Sequence, residues 1–161
     1  MNAQVWIAIL VGVAAVVDDL SRRQISNWIC VAALVGGLGW QAGQYGWMGL
    51  AYGLGGAAAG FAAFLVFYLL GGMGGGDVKL MAGFGALLGA GRLLEATMWT
   101  AGMGGMLALG VLGFRAIRRT IAGPAPDSGV PLTAEQKLHQ ESIPYAPAIA
   151  LGVWLSLVPK I

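Results

Sequence analysis

Seven residues of this 161-residue chain carry carboxylates, and in so apolar a chain they are the first place to look for chemistry. They are Asp18, Asp19, Asp77, Glu95, Asp127, Glu135 and Glu141. The last three fall in the one long polar stretch and read as solvated surface. Glu95 follows Arg92 by three residues, the spacing of an ion pair on one helix face. Asp18 and Asp19 close an apolar run just before Leu20-Ser21-Arg22-Arg23. Asp77 follows the run Gly71-Gly72-Met73-Gly74-Gly75-Gly76. Two carboxylates that approach each other share a proton, because close like charges resist both ionising. Such a pair can activate a water as general base while its protonated member stabilises the carbonyl oxygen and then protonates the leaving amine. That is peptide hydrolysis without metal or covalent intermediate. The plainer account makes Asp18 and Asp19 a helix end beside two arginines, and Asp77 a favourable charge at a helix N-terminus. On these residues alone both accounts stand.

The elements that would position these groups follow from composition. Hydrophobic residues make up 58% of the chain and charged ones 10%, against about 45–50% and about 25% in soluble domains. Sixteen charged side chains cannot build an ordinary water-facing surface. This excludes a soluble globular domain, a disordered chain and a nucleic-acid binder relying on a basic face. The formal charge of +2 is too small to imply a polyanionic partner. Glycine, with 28 residues, is more than twice as frequent as the usual ~7%. It points to membrane helices packed closely through small residues. The expected fold is all-α, a polytopic integral membrane protein of about six transmembrane helices, embedded in the lipid bilayer.

A spanning helix needs roughly 17–25 mostly apolar residues. Six stretches qualify or nearly so: about Gln4–Val17, Trp28–Trp40, Met48–Leu70, Asp77–Ala90, Ala96–Phe114 and Ile143–Val158. The first lacks the basic leader of a secretory signal and reads as a retained helix. With six spans, one side holds the connections at 18–27, 71–76 and 115–142. Their flanks carry Arg22, Arg23, Lys79, Arg115, Arg118, Arg119 and Lys137, seven of the nine basic residues. The excess places those connections in the cytoplasm. Asp19 and Asp77, 58 residues apart, then share one membrane depth at the cytoplasmic boundary. The whole of 1–161 reads as a single membrane-embedded domain, with a polar cytoplasmic loop at about 115–142 and a short helix at Thr133–Gln140.

Glycine costs a helix about 1 kcal/mol relative to alanine, so Gly72–Gly76 should break one helix from the next. Their backbone groups could then pair with an extended peptide in the manner of β-addition, or form a plain turn. Lys79 is placed either to hold a peptide or the pair's charge, or to anchor the cytoplasmic face. Gly49-x-x-x-Gly53, Gly56-x-x-x-Gly60 and Gly85-x-x-x-Gly89 read as helix-packing faces. Trp40, Trp47, Trp99 and Trp154 read as interfacial anchors. Cys30 reads as buried packing. His139, the one histidine, makes no metal site, so neither metal nor cofactor is expected.

Three ordered segments carry a resemblance. Gly74-Gly75-Gly76-Asp77 has the form G-x-G-D and continues as Val78-Lys79-Leu80. Asp19-Leu20-Ser21-Arg22-Arg23-Gln24-Ile25-Ser26-Asn27 is similar to a D-L-x-x-x-x-I-P-N element. Ile143-Pro144-Tyr145-Ala146-Pro147-Ala148-Ile149-Ala150-Leu151-Gly152 is similar to I-P-[FY]-x-x-A-x-x-x-G. Together these resemble the type IV prepilin peptidases, membrane aspartyl proteases of the G-x-G-D class. The resemblance implies an aspartic-type endopeptidase of the cytoplasmic (inner) membrane, its active site facing the cytoplasm. It would remove the leader from type IV pilin-like precursors in pilus assembly or protein secretion. The catalytic pair maps to Asp19 and Asp77. Gly74 and Gly76 would admit the peptide, and Lys79 would help bind it. Asp18 points about 100° away from Asp19 on a helix, so both cannot face one partner.

Two departures matter. Ser26 stands where the pattern has proline, which questions the rigid bend after Ile25. Larger members carry paired cysteines and also methylate the new N-terminus. With Cys30 alone and a short first connection, this chain is more similar to the short Flp/Tad-type or preflagellin peptidases, for which cleavage without methylation is expected. A bifunctional peptidase and N-methyltransferase is the alternative within the class. Outside it stand a small proton or cation transporter using the same aspartates, and a non-catalytic assembly scaffold.

Overall fold

The computed structural model describes residues 3–122 and 145–158, with backbone alone at 115–116, 118–119 and 121–122. The described residues form four helices and no strand. They are α1 (Ala3–Arg22), α2 (Asn27–Leu69), α3 (Gly75–Ala122) and α4 (Ala146–Leu157). The first three are long and apolar enough to cross a membrane. The expected all-α architecture is therefore present, but the expected six spans are not. The stretches Trp28–Trp40 and Met48–Leu70 lie in one continuous helical element, as do Asp77–Ala90 and Ala96–Phe114. The helix after Ala96 also runs on to Ala122, past the expected end at Phe114. The proposed Thr133–Gln140 helix and the rest of that loop from residue 123 lie outside the described residues.

Single glycines do the work that loops were expected to do. Gly46 (φ 58°, ψ −139°) interrupts α2, and Gly89 (φ 70°, ψ 169°) interrupts α3. Both take positive φ, which an L side chain resists. In a straight helix Leu38 and Gly53 would stand about 22 Å apart. Instead a Cβ on Gly53 would lie 3.0 Å from Leu38 Cδ2, so α2 folds back on itself. Likewise a Cβ on Gly60 would meet both the Met81 carbonyl and Leu93 Cδ1, which brings the two arms of α3 together. Breaking α3 leaves carbonyls without helical partners. The Leu87 oxygen accepts from Gln4 Nε2 at 2.9 Å and from Gln41 Nε2 at 3.2 Å.

The first arm of α3, from Asp77 to Gly89, is the central element, with only Lys79 fully exposed and Ala82 partly so. Leu80, Met81, Phe84 and Leu87 are among the largest fully buried side chains. Such a helix is apolar all round, which is why no amphipathic stripe marks it. Neighbouring backbones reach it through glycines. A Cβ on Gly56 would strike the Gly85 carbonyl, and one on Gly85 would strike the Gly56 carbonyl. Gly37 faces the Leu87 amide in the same way, with a Cβ at 2.5 Å. The G-x-x-x-G pairs thus lie where helices meet.

α4 lies between α1 and the second arm of α3. Trp154 packs on Gly12 and donates from Nε1 to the Ala8 carbonyl at 3.0 Å. This corrects its expected role as an interfacial anchor. Gly152 sits against Thr100, the one buried side-chain oxygen without a partner among the described residues. Trp47, beside the Gly46 break, is 84% exposed.

Gly85→Ala should lower stability by about 1–3 kcal/mol, the cost of overpacking a close contact. Gly55→Ala, where a Cβ meets nothing within 4 Å, should leave it unchanged or slightly raised. Thermal unfolding of the two variants in detergent checks the difference.

Candidate functional site

Three chain segments remote in sequence meet at one end of the bundle: the end of α1, the turn before α3 and the start of α4. Asp19 and Asp77 are both buried there, each 6% exposed. Asp77 is the third residue of α3. Its Oδ2 accepts the Gly74 amide at 3.1 Å, while the Asp77 amide donates to the Gly74 carbonyl at 3.2 Å. The first bond is the N3 half of a capping box; the second is backbone to backbone, since glycine has no side chain to return it. Asp19, on the last turn of α1, accepts the Ala146 amide on Oδ2 at 3.1 Å. Ala146 opens α4, so this donor is one of the first-turn amides a helix cannot satisfy internally. Each carboxylate is therefore held by one backbone donor at a helix N-terminus, a setting suited to an anion.

Asp18 is turned elsewhere. It accepts the Ser26 amide on Oδ2 at 2.7 Å and lies 3.6 Å from Arg22 Nε through Oδ1. The two neighbours on α1 thus face different partners, as the helical angle between them requires.

The glycines before Asp77 differ from expectation. Gly75 and Gly76 are already helical, and Gly76 is closed off by Ile25, whose Cβ would lie 3.1 Å from a Cβ there. Three of the turn's amides are also engaged: Gly71 donates to the Tyr68 carbonyl, Gly72 to the Phe67 carbonyl and Gly74 to Asp77. The run is a wound turn with positive φ at Gly71, not a strand edge open for β-addition. Lys79 is exposed and donates from Nζ to Asn27 Oδ1 at 2.9 Å. It ties the start of α3 to the start of α2.

Two features were not legible. The Ala146 amide has no side-chain signature, although it falls inside the third quoted segment. Cys30 is buried, as expected of packing, and its Sγ also lies 3.8 Å from the Gly76 carbonyl, one residue from Asp77. Among the described residues, no three His, Cys, Asp or Glu side chains gather as a metal site would require.

Residues 6–109 match the type IV leader peptidase family. That stretch contains both aspartates and ends before α4. No curated protein and no solved structure matches the chain.

Ser26, the departure from the proline pattern, keeps a proline-like backbone at φ −61° and ψ 132°. Proline would hold that φ but has no amide hydrogen. The serine amide instead binds Asp18, so a hydrogen bond to a charged group takes the place of a ring in shaping the bend. Ser26→Pro should therefore destabilise the native chain, because it leaves Asp18 without its donor. In an Asp18→Ala background the same change should be neutral or stabilising by about 0.4–1 kcal/mol. A double-mutant cycle read by thermal unfolding measures this non-additivity.

Proposed function

This chain belongs to the type IV leader peptidase family, and on that premise we propose that it is a membrane aspartyl endopeptidase whose reacting groups are Asp19 and Asp77. The observation that carries the reading is that these two carboxylates, from α1 and α3, are both buried at one end of the bundle, each held by a backbone amide at a helix start. One carboxylate takes a proton from water as the water oxygen bonds to the scissile carbonyl carbon. The other, protonated, donates a hydrogen bond to the carbonyl oxygen. Collapse of the tetrahedral species breaks the C–N bond, and a carboxyl proton goes to the departing amine. Burial supports this chemistry, since electrostatic interactions act more strongly away from water. One Oδ2 on each aspartate is committed to a backbone amide, which leaves Oδ1 on each for water and substrate.

The family implies pilin-like precursors as substrates. Reading the aspartate end as the cytoplasmic end rests on Arg22, Arg23 and Lys79, which cluster there. On this reading residues 1–161 form a single membrane-embedded domain of the inner membrane. The lone Cys30 and the short connection between α1 and α2 fit the short form of the enzyme, which cleaves without methylating. Lys79, bonded to Asn27, acts first as a tie between helices and only from there as a contact for the peptide.

Co-expression with a pilin-like precursor tests the assignment. Asp19→Asn and Asp77→Asn should each reduce processing by about 100-fold or more, the scale of general acid–base catalysis. Asp18→Asn should process normally. Continued cleavage by either of the first two variants would falsify the pair. The mass of the mature product should show a free, unmethylated N-terminus, and a product heavier by a methyl group would place the chain with the bifunctional enzymes.

A further inference from the structure

Beyond Gly104, α3 outruns the rest of the bundle. Gly104 lies level with the start of α4, since a Cβ there would stand 3.6 Å from the Tyr145 ring and 3.9 Å from Ala148 Cβ. Ala146, between those two, is the residue whose amide holds Asp19. One turn back along α3, Thr100 meets Gly152 of α4 in the same antiparallel register. Gly104 therefore marks the level of the aspartate end. The helix nonetheless continues to Ala122, about 27 Å further at 1.5 Å per residue. No described residue of this extension is buried. It is not polar either, for Met106, Leu109, Leu112 and Phe114 are each more than half exposed.

Two helices give different depths for this one level. Residues 96–114 carry no charged side chain, with Arg92 and Glu95 before them and Arg115 after. An uncharged run of that length measures about 28 Å, close to the roughly 30 Å hydrocarbon core of a bilayer. The second arm of α3 thus has the length and the flanks of a full span, and Gly104 falls near its middle. On that arm hydrocarbon extends about 15 Å past the level of the aspartates, to Phe114. On α1, by contrast, Arg22 follows Asp19 by three residues, and Arg22, Arg23 and Gln24 are exposed. Hydrocarbon ends there within about 5 Å of Asp19. The elements packed around the aspartates are also short. α4 and the Asp77–Gly89 arm of α3 each measure about 18 Å.

We propose that the bilayer surface slopes across this protein, full in thickness along the second arm of α3 and dipped where α1 ends and α2 and α3 begin, with the aspartates at the foot of the slope. The partner is the lipid bilayer, and the inference goes beyond the peptidase reading without depending on it. Bilayers accommodate elements of unequal length by thinning locally, at modest cost. Exposed Arg22, Arg23 and Lys79 supply cations for phosphate headgroups drawn down into the dip. Water then reaches the level of the buried carboxylates from the α1 side, while lipid flanks them along α3. Cover of the α3 arm by residues 123–144 or by a second copy would leave the match between its uncharged run and the hydrocarbon thickness without a cause.

The test reads depth rather than activity. Full-length protein carrying Cys30→Ser, whose hydroxyl keeps a donor beside the Gly76 carbonyl, receives one new cysteine, Leu20→Cys or Leu109→Cys. Both positions are exposed. Each is labelled with a nitroxide in vesicles of dioleoyl phosphatidylcholine and phosphatidylglycerol. Collision with molecular oxygen reports hydrocarbon, and collision with a water-soluble nickel chelate reports water. Under a flat surface Leu109, about 8 Å past the level of Gly104, is the shallower of the two, because Leu20 adjoins Asp19. Under the slope the order reverses, with Leu109 about 8 Å inside the end of its uncharged run and Leu20 about 3 Å from Arg22. The expected result is oxygen contact without nickel contact at Leu109, and nickel contact several-fold higher at Leu20. Leu112→Cys repeats the measurement at a second exposed position of the arm and should likewise exclude nickel. Nickel contact at Leu109 equal to or above that at Leu20 overturns the proposal. Exclusion of both reagents from Leu109 also overturns it, since residues 123–144 or a second copy would then cover the arm.

Discussion

Backbone-to-backbone approach at the first arm of α3 is the constraint from which the rest of the molecule follows. In a bilayer, lipid tails are as apolar as leucine, so helices gain little by hiding apolar side chains from them. They associate where packing is tight. Here tightness comes from glycines that leave no Cβ between facing backbones, at Gly56 against Gly85 and at Gly37 against Leu87. The arm is thereby enclosed, and Asp77 at its start is enclosed with it. Because α2 and α3 both turn back at positive-φ glycines, four elements suffice to surround this helix.

The same geometry explains how the carboxylates are supported. The partners of Asp77 and Asp19 are amides at two helix starts, Gly74 for α3 and Ala146 for α4. A backbone donor is fixed by the fold and adds no mobile charge beside the pair. The charged side chains of this end are used around it instead. Arg22 lies near Asp18, and Lys79 joins Asn27. Ser26 illustrates the same economy of means: a proline-like φ is kept, and the freed amide secures Asp18.

Several elements show where reading the chain in one dimension falls short. Gly74, Gly75 and Gly76 look alike in sequence, yet only Gly74 is outside the helix. Propensity disfavours glycine in a helix by about 1 kcal/mol, but contact with Ile25 and the cap at Asp77 outweigh it. Trp154 has the position of an interfacial tryptophan and the role of a packing residue, because Gly12 on a helix 142 residues earlier leaves room for its ring. Hydropathy leaves gaps at 41–47 and 91–95, but it does not show that one positive-φ glycine, Gly46 or Gly89, makes each break within a single helical element.

The sequence by itself determined the solvent of this protein, its helical class and the identity of the two carboxylates that stand apart from the rest. Charge count, hydropathy and glycine excess are sums over the chain, and a motif such as Gly74-Gly75-Gly76-Asp77 is local, so neither kind of signal needs a fold to be read. Tertiary structure alone decided that the Ala146 amide holds Asp19, that the Ser26 amide holds Asp18, and that the Gly74 amide holds Asp77. Those facts depend on distances between residues up to 127 positions apart. Such distances are set by which backbones can touch, and that depends on packing in three dimensions rather than on the order of residues along the chain.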